Sequence, residues 1–283
     1  MIISHFIMKN IFSRYAGIAF AMFGLFAFTS CSDSGENTEP VPVTEGGKLR
    51  IEFDNIVGDK NLVLNSVSYQ NGTNEDFIVT KFNYFISNIK LTKSDGTIFT
   101  VPQDSSYFLI KEDVKASQFV TLNNVPYGDY KAVEFMVGVD SLRSTAPIEK
   151  RKGVLDPGGS MLEDGMYWLW NSGYIFLKLE GTSSKGNPVN NKFYYHIGLF
   201  GGYNERTVNN TRVVKVEFGD LKAPVTDKAT PEVHLLVDVL KVFDGPGTNL
   251  SIEAFNSVMG GQQEKSQQVA NNYAEMFSLD HIH

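Results

Sequence analysis

Cysteine is nearly missing from this 283-residue chain, which has one, and tryptophan and histidine are scarce, with two and five. A single cysteine rules out an intrachain disulfide framework and any CxxC metal or redox motif. Basic residues are in deficit, 25 Lys+Arg against 32 Asp+Glu, and the resulting net charge of −7 argues against a nucleic-acid partner. There is no Gly-rich phosphate loop, no HExxH and no GxSxG elbow. The chain is therefore read as a non-enzyme, although a dispersed triad or a carboxylate pair would leave no such trace. What is present is apolar. A 42% hydrophobic and 12% aromatic composition supplies a sizeable core for one large domain or two smaller ones.

The N-terminus reads as an address. Lys9 and Arg14 precede an uncharged apolar run from Tyr15 to Phe28. That run is shorter than the ~20 residues a spanning helix needs, and it fits a secretory signal. Phe28-Thr29-Ser30-Cys31 resembles the lipobox of bacterial lipoproteins, in which Cys31 would be lipidated and become the new N-terminus. The plainer alternative is an ordinary signal cleaved nearby, with Cys31 a free thiol. Removing residues 1–30 takes away two cations and no anion, moving the net charge from −7 to about −9. Asp33 and Glu36 resemble surface-export signals of bacteria with two membranes. The expected organisation is a signal over 1–30, a Gly/Pro/Ser/Thr-rich tether over 31–47 and a folded domain over 48–283. The expected location is the outer membrane, on its periplasmic or cell-surface face.

From Lys48 onward, short β-branched and aromatic runs alternate with turn clusters. Leu49, Ile51 and Phe53 alternate with Arg50, Glu52 and Asp54, as in a half-buried strand. Phe77 to Leu91 reads as one long strand with a bend, and Asp95-Gly96 follows as a hairpin turn. About ten strands are expected, without the strand–helix rhythm of a parallel sheet, so the fold class is an all-β antiparallel sandwich. Ser141 to Gly165 reads as a long connection. Gln262 to Phe277 places Val269, Tyr273, Met276 and Phe277 on one face of a C-terminal amphipathic helix.

His5 falls in the signal, leaving His196, His234, His281 and His283. His281 and His283, two apart, would point to one side of an extended backbone and could converge on one ion, or belong to a solvated tail. His196 shares a strand face with Tyr194, Gly198 and Phe200, a setting that equally suits a buried, hydrogen-bonded histidine. His234 shares a face with Leu236 and Asp238, opposite Val233, Leu235 and Val237, and reads first as structural. Imidazoles without a thiolate suit copper or zinc, and Met276 could add a soft ligand, though its helix face favours packing. Trp168 and Trp170 project to one strand face, as a core aromatic ladder or as a stacking platform for glycans. Asp156, Glu163 and Asp164 just before them could attract cations or only be solvated.

The stretch Met166-Tyr167-Trp168-Leu169-Trp170-Asn171-Ser172-Gly173-Tyr174 resembles the signature of the MbnP-like family. These are copper-binding proteins found beside methanobactin systems and among bacterial lipoproteins. Phe82-Asn83-Tyr84-Phe85-Ile86-Ser87-Asn88-Ile89, Val137-Gly138-Val139-Asp140, Tyr195-His196-Ile197-Gly198, Val237-Asp238-Val239-Leu240 and the ending from Asn272 to His283 extend the likeness over nearly all of 48–283. The resemblance implies a β-sandwich holding one copper ion outside the cytoplasm. It implies His196, His281 and His283 as ligands; His234 and Met276 stay additional candidates from the residues alone. It also implies a partner diheme peroxidase that oxidises a tryptophan, here Trp168 or Trp170, to kynurenine. The expected function is a lipid-anchored copper-binding protein for uptake, storage or hand-over. The alternative is a surface glycan- or nutrient-binding module built on Trp168 and Trp170.

Overall fold

Period-2 burial decides which face of each strand meets the core. In the computed structural model, which describes residues 45–158, 162, 164–168, 173–245 and 248–283, Leu49, Ile51, Phe53, Asn55 and Val57 of the first strand are all buried. The residues between them are half-buried on the opposite face. Among the described residues, the strands of five residues or more are Gly46–Val57 (β1), Asp76–Lys93 (β2), Tyr107–Lys111 (β3), Phe119–Pro126 (β4), Gly128–Val137 (β5), Leu177–Thr182 (β6), Lys192–Ile197 (β7), Arg212–Glu217 (β8), Glu232–Asp238 (β9) and Phe277–Ile282 (β10). They form an all-β, sandwich-like fold. The signal, residues 31–44 of the tether with Cys31, and Trp170 lie outside the described residues, while Gly46 and Gly47 at the end of the expected tether already belong to β1. Among those residues no helix is long and apolar enough to cross a membrane.

The smaller sheet runs β10-β9-β1, with β4 and the short strand Lys60–Asn61 along the other edge of β1. The larger runs β8-β5-β2-β6-β7, ending on the short strand Ser257–Val258. Its central β2 pairs with β6 through its first half and β5 through its second. The expected bend in β2 is a register shift between Ser87 and Lys90, where Asn88 takes φ +54°. Two pairings depart from an antiparallel scheme: β1 lies parallel to β9, and β7 lies parallel to Ser257–Val258.

Between the sheets, Phe53 meets Phe135 edge-on at 5.7 Å and Phe277 at 6.3 Å, and Phe135 meets Phe277 at 5.0 Å. A second, smaller cluster forms on the other side of the larger sheet. Phe85, alternating with Tyr84 in β2, packs there with Leu155, Met166, Trp168, Tyr174, Phe176 and Phe200. The long connection supplies part of this layer. It begins with a one-turn helix, Ser141–Ser144, whose first turn is capped by Asp140 accepting from the Arg143 amide at 3.0 Å.

The C-terminal helix is shorter than its hydrophobic spacing predicts. It covers Gln263–Tyr273 (α1), and Phe277 opens β10 instead of closing the helix. The Asp238 amide donates to the Met276 carbonyl at 2.9 Å, and Phe277 takes register with Val237. Pairing with the open edge of β9 therefore satisfies the backbone that a longer helix would have satisfied internally. Met276 and Phe277 fall on the helical period by coincidence of spacing, and both pack against the main core from outside the helix.

Candidate metal centre

Three imidazoles meet on the outer face of the smaller sheet. In β9, Val233, Leu235 and Val237 are buried in the core, so His234 faces outward. In β10, His281 lies directly across from His234. His283 continues the extended chain: its amide donates to the Glu232 carbonyl at 2.9 Å, and the Glu232 amide returns to the His283 carbonyl at 3.2 Å. The two-residue spacing then aims His281 and His283 to one side, and their Nε2 atoms stand 2.7 Å apart. His281 Nε2 is also 3.5 Å from His234 Nδ1.

A bulge brings in a carboxylate. Leu279 pairs with Leu235 and His281 with His234, so Asp280 is one residue too many on β10. Such an extra residue re-aims side chains locally. Asp280 Oδ2 lies 2.8 Å from His281 Nδ1 and 3.6 Å from His234 Nδ1. Ligand atoms from His234, Asp280 and His281 all fall within 4.8 Å of one another. With Nδ1–H of His281 donated to Asp280, its Nε2 carries a lone pair facing two further ring nitrogens. Nitrogens ~2.0–2.1 Å from a shared tetrahedral ion lie roughly 3.3 Å apart. The 3.5 Å between His234 and His281 is close to that spacing, while His283 Nε2, 2.7 Å from His281 Nε2, stands outside the group of His234, Asp280 and His281 whose ligand atoms lie within 4.8 Å of one another. Two imidazoles and a carboxylate, with a third imidazole beside them and no thiolate, form a donor set suited to copper or zinc.

Exposure is graded across the cluster. The His234 side chain retains 16% of its accessible surface, whereas His281 retains 41% and Asp280 44%. One ligand is thus fixed in the sheet and the others open to solvent. Behind His234, its Nε2 faces Asp54 Oδ2 at 3.4 Å and Glu52 Oε2 at 3.8 Å. The parallel pairing of β1 with β9 sets this contact, since Glu52 is directly beside His234. Three carboxylates therefore surround the imidazoles and attract cations.

His196, expected beside His281 and His283, lies instead in β7 of the larger sheet. There its Nε2 is 2.7 Å from Glu180 Oε1, a hydrogen bond that holds the Glu180 carboxyl below the usual range. Lys178, which pairs with His196 from the neighbouring strand β6, is buried, and that burial lowers its amine. Trp168 is on this side too: it is 8% exposed, and its ring lies over Gly198, whose hypothetical Cβ would come within 2.6 Å of Cζ3. A ring packed so closely offers no open stacking platform for a glycan. Met276 is 1% exposed within the main core, where its sulfur serves packing.

The cluster thus contains His281 and His283 as paired by their spacing, draws in His234, and leaves out His196 and Met276. No motif in the sequence marks Asp280, Asp54 or Glu52 as site residues. The only sequence signal for the latter two is their outward alternation in β1, and nothing local marks the bulge at Asp280.

No curated protein sequence matches the chain. Among solved structures, MbnP from Methylosinus trichosporium is similar at 14% identity with a TM-score of 0.49, over 76% of this chain and 81% of that one. The family model for MbnP matches residues 46–260. That span contains Trp168, His196 and His234 and stops before Asp280, His281 and His283. Matched over well more than half its length, the chain belongs to the MbnP family.

Proposed function

We propose that this chain is an extracytoplasmic copper-binding protein, anchored by lipid on Cys31 and working in copper uptake, storage or hand-over. The observation that carries the reading is the grouping of His234, Asp280 and His281 ligand atoms within 4.8 Å of one another on one sheet face, with His283 Nε2 2.7 Å from His281 Nε2. Neutral imidazole nitrogens bind either oxidation state of copper, and membership of the MbnP family agrees with copper as the ion. The graded exposure suits cargo: His234 anchors the ion, while the more open His281 and His283 can admit or release it. The chain's own work is binding and transfer, and no chemical step on an organic substrate is assigned to it.

The test is copper uptake by equilibrium dialysis, comparing the tag-free mature chain with His281→Ala/His283→Ala and with His196→Ala. The expected result is one copper per chain, lost in the double variant and kept in His196→Ala. Copper uptake that depends on His196 and ignores His281 and His283 would refute this site.

A further inference from the structure

His234 is the only ring of the cluster with its second nitrogen turned into the sheet. Its Nε2 is buried and has no hydrogen-bond partner among the described residues. It does not face apolar surface, however. Asp54 Oδ2 is 3.4 Å away and Glu52 Oε2 3.8 Å away, from the neighbouring strand β1. A lone pair on Nε2 beside two carboxylates would be repelled, whereas an N–H there would be attracted and, with a small turn of the ring or of Asp54, would relieve the cost of an unpaired buried group. A histidine carries one ring proton when neutral, so a proton on Nε2 leaves the lone pair on Nδ1. Nδ1 is the nitrogen that faces His281 and Asp280.

We propose that Asp54, seconded by Glu52, is a positioning residue that accepts the Nε2 proton of His234 and so commits Nδ1 to the metal. The proposal rests on the metal-binding reading of the His234/His281/His283 cluster. The two acceptors are not equal. Glu52 is already engaged by Lys115 at 3.1 Å, while Asp54 lies closer to the ring and has no other ion pair among the described residues. His281 shows the same arrangement on the other side of the cluster, with Asp280 set against its Nδ1 at 2.8 Å. A carboxylate behind a ligating imidazole fixes its ring and tautomer and raises its basicity, and removing such a carboxylate costs 10–100-fold in metal affinity. Asp54 has its side chain on the outer face, away from the core, so its replacement perturbs the ring before it perturbs packing.

The experiment uses the mature chain with 15N-labelled histidine and zinc as a diamagnetic probe of the site. Long-range proton–nitrogen correlation spectra report the tautomer of each ring. In the zinc-loaded wild type, His234 is expected to show a metal-bound Nδ1 and a protonated Nε2. In Asp54→Ala the Nε2–H signal should broaden or move upfield, and zinc affinity should fall 10–100-fold. Asp54→Asn, whose carbonyl can still accept that proton, should keep Nδ1 coordination and most of the affinity. A metal-bound Nε2 in the wild type would overturn the proposal without any variant. So would an Asp54→Ala protein that keeps the Nε2–H signal and full affinity while still losing zinc on His281→Ala/His283→Ala. If the wild type takes up neither zinc nor copper, the parent reading fails and takes this one with it, an outcome distinct from either of those.

Discussion

Glu75→Gln should destabilise the fold by an amount that depends on pH. The Glu75 carboxylate is 6% exposed and ties two segments far apart in sequence. Oε2 accepts from the Asn71 side chain at 2.9 Å, the Thr73 hydroxyl at 2.9 Å and the Ile252 amide at 2.5 Å. Oε1 accepts from the Ser251 hydroxyl at 2.8 Å and the Glu253 amide at 3.1 Å. Burial alone would raise this carboxyl, but the bonds from Asn71, Glu253, Ile252 and Ser251 outweigh it and hold the group at about 2. A glutamine must set its NH2 against one of these two groups of donors. The hydroxyls can rotate to accept, but a backbone amide cannot. Moving a carboxyl from 4.5 to about 2 on folding is worth on the order of 3 kcal/mol at neutral pH. For a domain of this size that converts to roughly 6–12 °C in Tm. The folded state favours the ionised form, so the contribution is whole above the unfolded carboxyl's range and disappears as the pH falls toward about 2. Thermal unfolding followed by circular dichroism across that range should show a wide gap between wild type and variant at neutral pH that closes with acid. A gap under about 2 °C, or one that does not change with pH, would refute the reasoning.

Two other substitutions separate packing from metal binding. Gly198→Ala places a Cβ within 2.5 Å of the Tyr174 carbonyl oxygen and 2.6 Å of Trp168; urea unfolding should show a loss of about 1–3 kcal/mol, with shifted tryptophan emission. Met276→Ala empties a buried core position and should cost about 2–5 kcal/mol in the same assay. Copper affinity by dialysis should not change in this variant, because its sulfur is not in the cluster.

The strands were legible because each carries its own period. Val233, Leu235 and Val237 against His234, Leu236 and Asp238 states the two faces of β9 with no tertiary information, and the structure keeps them. What that outward face meets was not legible. Glu52 and His234 are neighbours only because β1 and β9 pair in parallel across most of the chain, a choice made by core packing and not by local pattern. His281 and His283 were marked by spacing, but the strand that holds them was hidden, since Tyr273, Met276 and Phe277 fit the helical period until β9 offers its edge. The aromatic neighbours of His196 suit a buried, hydrogen-bonded histidine, and only the family resemblance offers it as a ligand. Its actual partner, Glu180, stands on the adjacent strand, in the next row along from its register mate Lys178. Asp280 enters through a bulge, and a one-residue register slip has no signature in a single sequence.

The location of copper is best measured directly. Crystals of the mature chain soaked with copper should give, on crossing the copper absorption edge, one anomalous peak among the rings of His234, His281 and His283. A peak beside His196 and Trp168 with none at the three-histidine cluster, or no ordered copper at all, would contradict the account.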